Sequence, residues 1–176
     1  SLSISRASRT FPQYLFFKPG MIVTAMLLYF YWSKNNTIIN HFKNTDSKKN
    51  NFMIFGILSA IFLAIHSILL GLETDIKIFK FLRRVVLVSF IIFEIIAQSL
   101  LVINFYKLKN QLKNYFNPNI LKLKILLVSV LILVAVFSIP ILILSGNIHF
   151  KHGLEWNYFI GVIFFYLLTS LFWKKI

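Results

Sequence analysis

Few residues in this sequence could do chemistry, and the most conspicuous of them stands in apolar surroundings. Glu94 lies inside the stretch FIIFEIIAQSLL, with Gln98 four residues further on. Residues four apart on a helix project from one face, so the carboxyl and the amide are neighbours. An ionised acid facing hydrocarbon is costly, and such residues turn instead toward a partner or a polar cavity. The pair could coordinate a cation, relay a proton, hold a lipid headgroup, or join helices by hydrogen bonds. His66, followed by Ser67 in a different apolar stretch, is the natural partner for Glu94.

Other constellations are weaker. One His and one Glu are too few for a metal, which usually takes three or four protein ligands. His149, His152 and Glu155 have a spacing that brings three ligands together on a helix, but Gly153 interrupts it. Solvated loop histidines are the commoner case, so no metal and no cofactor are expected. Glu73 and Asp75 lie near Lys77, Lys80, Arg83 and Arg84. Solvated ion pairs of that kind contribute little. No nucleophile motif, glycine-rich phosphate loop, HExxH or paired-carboxylate spacing occurs. Ser67 beside His66 is not a nucleophile and base by sequence alone. Cysteine is absent, which removes thiolate chemistry and disulfides. The expectation is a protein without catalytic residues.

The elements that must position Glu94 are set by composition. Of 176 residues 58% are hydrophobic and only 14% are charged, with a mean hydropathy of +0.77. Soluble domains run near 45–50% apolar and about 25% charged. A span needs roughly 17–25 apolar residues to cross about 30 Å of hydrocarbon. Five stretches qualify: about Phe16 to Trp32, Phe52 to Leu72, Val85 to Phe105, Ile125 to Leu144, and Tyr158 to Trp173. Within lipid every backbone N–H and C=O needs an internal partner, which leaves helices or closed barrels. Barrel strands are about ten residues long and alternate; these stretches do neither. The predicted fold is all-α, a polytopic transmembrane helix bundle forming a single transmembrane domain over residues 1–176.

The formal net charge of +14 would suggest nucleic acid in a soluble protein. Here Lys and Arg gather between the apolar stretches, where anionic headgroups and the positive-inside rule place them. The partners expected are membrane lipids and other transmembrane subunits, not nucleic acid. Tyr29, Tyr31 and Trp32 close the first stretch, Trp156 and Tyr158 open the fifth, and Trp173 closes it. All read as interfacial anchors. Pro140 should kink the fourth helix.

Orientation follows from the loops. One side holds Lys34, Lys43, Lys48, Lys49, Lys107, Lys109, Lys113, Lys122, Lys124, Lys174 and Lys175. The other holds Arg6, Arg9, Lys18, Lys77, Lys80, Arg83, Arg84 and Lys151. That bias of eleven over eight favours a cytoplasmic C-terminus and an external segment 1–15. An external N-terminus is awkward beside two arginines, and the sequence starts at Ser1 rather than Met. A further span upstream, giving six in all, would resolve it.

The opening SLSISRASRTFPQYLFFKPG, running into a span that ends YFYW, resembles the Frag/DRAM/Sfk family of multi-pass membrane proteins. That family includes the damage-regulated autophagy modulators and relatives of the post-GPI-attachment remodelling factor. Ile4, Ser5, Pro12 and Phe16 fall at the positions of its "pxIS…g…P…lF" loop signature, and Glu155-Trp156 looks like its acidic-Trp pair before the last span. A His in the second or third span, here His66, is also similar. Arg6 stands where the family commonly has an acid, and the usual Gly before the Pro is absent, so no role of that acid carries over. The resemblance implies six spans, a plasma-membrane or endomembrane location, and a part in lipid handling, GPI-anchor maturation or autophagy. Pro12 biases Phe11 toward extended backbone, and Ser3, Ser5 and Ser8 can satisfy nearby backbone groups. Such a loop could act as a lid.

Three functions remain in competition. The first is a non-catalytic, lipid-associated membrane protein in which Glu94, Gln98 and His66 line a polar cleft. The second is an accessory or scaffold subunit of a membrane complex, in which a polar residue would face a partner helix; Glu155 and Trp156 are separately a candidate interface. The third is a proton-coupled transporter or channel using Glu94, for which no internal repeat is evident.

Overall fold

Long apolar stretches fold as helices because only a helix satisfies its backbone within one segment. The computed structural model of the protein describes residues 12–43, 50–69, 77–145 and 148–174, with side chains described except at 14, 77, 80, 138–145, 148–152 and 155. Among the described residues five helices follow one another: α1 (Gln13–Lys43), α2 (Asn51–Leu69), α3 (Lys77–Lys107), α4 (Pro118–Ser145) and α5 (Ile148–Phe172). Among the described residues no strand forms, and pairing outside helices is one bridge between Phe116 and Trp173. The fold is an all-α helical bundle.

Among the described residues four helices are long and apolar enough to cross a membrane: Leu15–Lys43, Asn51–Leu69, Phe81–Lys107 and Pro118–Phe137. The described apolar part of α5, Trp156–Phe172, is shorter. Large side chains cover the outside, with Phe16 80%, Ile78 75%, Phe137 66% and Leu171 63% exposed. Glu94 and Gln98 are completely buried. This inside-out distribution is what a hydrocarbon solvent demands and water penalises.

The chain divides into two compact units between Gln98 and Ser99. In the first unit α1 and α2 run antiparallel, since Ser67 reaches Lys18, Gly56 meets Trp32, and Asn50 meets Asn36. The inner face of α1 carries Ala25, Leu28, Trp32, Asn36 and Ile39, and that of α2 carries Phe52, Gly56, Ser59, Leu63 and His66. These spacings of three and four make one stripe on each helix. Small residues on α2 allow close approach, as in other membrane helix pairs. A Cβ at Gly56 would overlap the indole of Trp32.

Two readings of this region are corrected. The first helix continues past Trp32 to Lys43, a further ~16 Å at 1.5 Å per residue. Trp32 is not an interfacial anchor: it is fully buried, against Gly56 and 6.3 Å from the Phe52 ring. An asparagine clasp holds the extension. Asn50 Nδ2 donates to Asn36 Oδ1 at 2.8 Å and to Asn40 Oδ1 at 2.7 Å, while the Asn50 N–H donates to Asn36 Oδ1 at 3.1 Å. Asn50 also starts α2, its carbonyl accepting from Met53 N–H at 2.9 Å.

In the second unit, Asn117 caps α4 by accepting the Asn119 N–H at 3.0 Å, with Pro118 at the first helical position. Asn117 N–H donates to Phe172 O and Lys174 N–H to Tyr115 O, both at 2.9 Å. These bonds fasten segment 108–117 to the end of α5. Phe116 stacks on Phe172 at 5.0 Å, and Phe105 meets Phe172 at 5.0 Å. Along α4, Leu121, Lys124, Val128 and Leu131 form the buried stripe, with Leu131 covering Gly161 of α5. Helix α4 passes through Pro140 to Ser145.

Candidate functional site

Glu94 sits on the inner face of α3 with Ile95, Ala97 and Gln98, all buried. Gln98 Nε2 donates to Glu94 Oε1 at 2.9 Å, the four-residue contact that the helical period sets up. Across the helix pair, Ser59 of α2 donates to Glu94 Oε2 at 2.6 Å. Both carboxyl oxygens are therefore engaged. Ser59 Oγ also lies 2.8 Å from the Gly56 carbonyl, so its single proton serves two acceptors. Phe93, beside Glu94, packs on Phe55 at 6.0 Å and Phe62 at 5.4 Å. These ring contacts join α2 to α3 beside the hydrogen bond from Ser59 to Glu94.

His66 is buried on the same face of α2. It lies seven residues beyond Ser59, about 10 Å further along the helix. Its neighbour Ser67 donates to the Lys18 carbonyl at 3.2 Å, which occupies that hydroxyl in joining α2 to α1. Trp32 Nε1, a donor, and Gln98 Oε1, an acceptor, are buried in this unit without a hydrogen-bond partner among the described residues.

The structure thus brings Glu94 and Gln98 together, and adds Ser59. The sequence does not single out Ser59, because serine is common in apolar helices; its one signal is its place on the Phe52, Gly56, Ser59, Leu63 stripe. Of the loop signature, Pro12 and Phe16 are exposed, Pro12 accepting the Leu15 N–H at 3.1 Å. Ile4 and Ser5 lie outside the described residues, as do the side chains of His149, His152 and Glu155. Trp156 is 43% exposed on α5, edge-on to Phe159 at 6.1 Å.

The sequence does not anticipate a second buried polar centre. Lys124, read from sequence as a headgroup-facing lysine, is only 1% exposed. Its ammonium donates to Thr169 Oγ1 at 2.7 Å and stands 4.2 Å from the Phe165 ring centre and 5.2 Å from that of Phe172. Thr169 in turn donates to the Phe165 carbonyl at 3.1 Å. The correction has a plain cause: Lys124 falls on the inward stripe of α4, and cation–π contact offsets part of its lost hydration. Lys122, two residues earlier, points outward.

No protein-family model, curated protein or solved structure matches this chain. Its apolar helices define a multi-pass membrane protein of all-α class.

Proposed function

We propose that the chain is a non-catalytic, lipid-associated multi-pass membrane protein in which the Ser59–Glu94–Gln98 cluster joins α2 to α3. It crosses the bilayer five times, α5 included, with a cytoplasmic C-terminus, in the plasma membrane or an endomembrane. One observation carries the reading: a fully buried carboxyl with both oxygens engaged lies inside helices whose outer faces carry large apolar side chains. The resemblance of the opening segment to the Frag/DRAM/Sfk family supports a part in lipid handling. The engagement of Glu94 inside its own unit favours a joint over a proton-coupled path.

Purification in mild detergent followed by native mass spectrometry tests this. A monodisperse species retaining phospholipid is the expected result. A stoichiometric protein partner would instead favour an accessory subunit. Material that stays folded in plain buffer, without detergent or lipid, would remove the membrane reading altogether.

A further inference from the structure

We propose that the end of the second unit formed by segment 108–117 and the C-terminus of α5 is a docking surface for anionic lipid headgroups. Lys107, Lys109, Lys113, Lys122 and Lys174 present it. The inference rests on the membrane placement and is independent of any lipid-handling role.

The lysines sit on an ordered frame. Leu108, Leu112 and Phe116 are buried at four-residue spacing, and Lys109 and Lys113 each follow one of them outward. Leu112 N–H donates to Leu108 O at 3.0 Å and Phe116 N–H to Leu112 O at 3.3 Å, so the segment turns in helical fashion. Its bonds to Phe172 and Lys174 fix it beneath α5. Lys109 lies 4.6 Å over the Tyr106 ring, and Lys174 Nζ donates to the Lys113 carbonyl at 3.4 Å. All five lysines are exposed, whereas Lys124 turns inward to Thr169.

The same unit offers them no acidic side chain within reach. Between Ser99 and Ile176 the sole acidic side chain is Glu155. It precedes Phe172 on α5 by a length of ~25 Å at 1.5 Å per residue, well beyond the ~8 Å over which charges interact at physiological salt. Five ammonium groups on one surface therefore take their anions from outside. The flanking surface says which anions: Tyr106 is 52%, Leu123 46% and Leu171 63% exposed beside them. A phospholipid satisfies both features, its phosphate on the lysines and its acyl chains on the leucines, at the depth where Trp and Tyr collect.

The test reconstitutes the full chain in nanodiscs of phosphatidylcholine, with or without phosphatidylglycerol. Thermal unfolding and lipid retention in native mass spectra are the readouts. Phosphatidylglycerol should raise the unfolding temperature and be retained several-fold over phosphatidylcholine, with the preference collapsing in high salt. Replacing all five lysines by Gln should bring the retention ratio toward one, and the milder Lys109→Gln, Lys113→Gln pair should lower it in part. Replacing all five by Arg should preserve it. A wild-type chain indifferent to phosphatidylglycerol overturns the proposal, as does a glutamine pair with undiminished preference. Inorganic phosphate reproducing the stabilisation in pure phosphatidylcholine also overturns it. In each case a folded chain in the nanodisc leaves the membrane reading standing.

Discussion

Ser59 and Glu94, 35 positions apart in sequence, are tied by a 2.6 Å hydrogen bond that links α2 to α3. Neither residue has water to fall back on, since both are fully buried. Losing Glu94 leaves Ser59 the Gly56 carbonyl but strands the Gln98 amide, and losing Ser59 strands one carboxyl oxygen. Glu94→Ala should cost about 1–3 kcal/mol, the usual penalty for orphaned buried polar groups. Glu94→Gln should be close to neutral, because its amide can donate to Ser59 while Ser59 donates to Gly56 and Gln98 donates to the amide oxygen. Thermal unfolding of both variants in one detergent checks this; equal losses would mean that the charge, not the hydrogen bonding, is what matters.

Gly56 and Trp32 make a second joint of a different kind, based on shape. A methyl group at position 56 meets the indole, and overpacking typically costs about 1–3 kcal/mol. Gly56→Ala should lower the unfolding temperature. Combining it with Trp32→Leu should recover part of the loss, and a double-mutant cycle measures the coupling. Purely additive effects would deny the contact.

Part of this arrangement is legible in sequence, and the division is physical. Five apolar stretches announce five helices because hydrocarbon leaves the backbone no alternative. Glu94 and Gln98 announce each other through the helical period. The extension of α1 through Ser33-Lys34-Asn35-Asn36 is not legible, because its polar residues look like loop until Asn50 is seen across from them. Lys124 misleads for a similar reason. Beside Lys122 it reads as headgroup-facing, and only its register with Leu121, Val128 and Leu131 discloses the inward direction. Trp32 at the end of an apolar stretch looks like an anchor until the facing glycine is known. What local pattern cannot supply is the identity of the residue on the neighbouring helix.

The asparagine clasp predicts where the chain loosens first when it is cut. Asn50→Ala deletes the donor to Asn36 and Asn40 and the acceptor for Lys43 Nζ at 3.2 Å. The cost should be about 1–2 kcal/mol, in the range of lost caps. Hydrogen exchange should quicken over 35–43 and the first turn of α2, with the Glu94 region unchanged. Uniform acceleration along α1 and α2 would show that the clasp carries the whole pair.

Lys124 gives the sharpest contrast between charge and volume. Breaking a buried polar pair is damaging when it leaves a charge behind, yet replacing the charged partner by an apolar residue of similar size is often neutral or stabilising. Lys124→Met keeps the stem between Phe165 and Phe172 and leaves Thr169 bonded to the Phe165 carbonyl. It should unfold within about 1 kcal/mol of wild type. Lys124→Ala opens a void against two rings and should cost roughly 2–4 kcal/mol, as large-to-small core changes do. Thr169→Val, by contrast, removes the hydrogen-bond partner of a buried ammonium. It should therefore be worse in the wild-type background than in the Lys124→Met background. Denaturation of the three single variants and the Lys124→Met, Thr169→Val double in the same detergent decides between these outcomes. A Lys124→Met variant as unstable as Lys124→Ala would show that the ammonium itself holds α4 to α5.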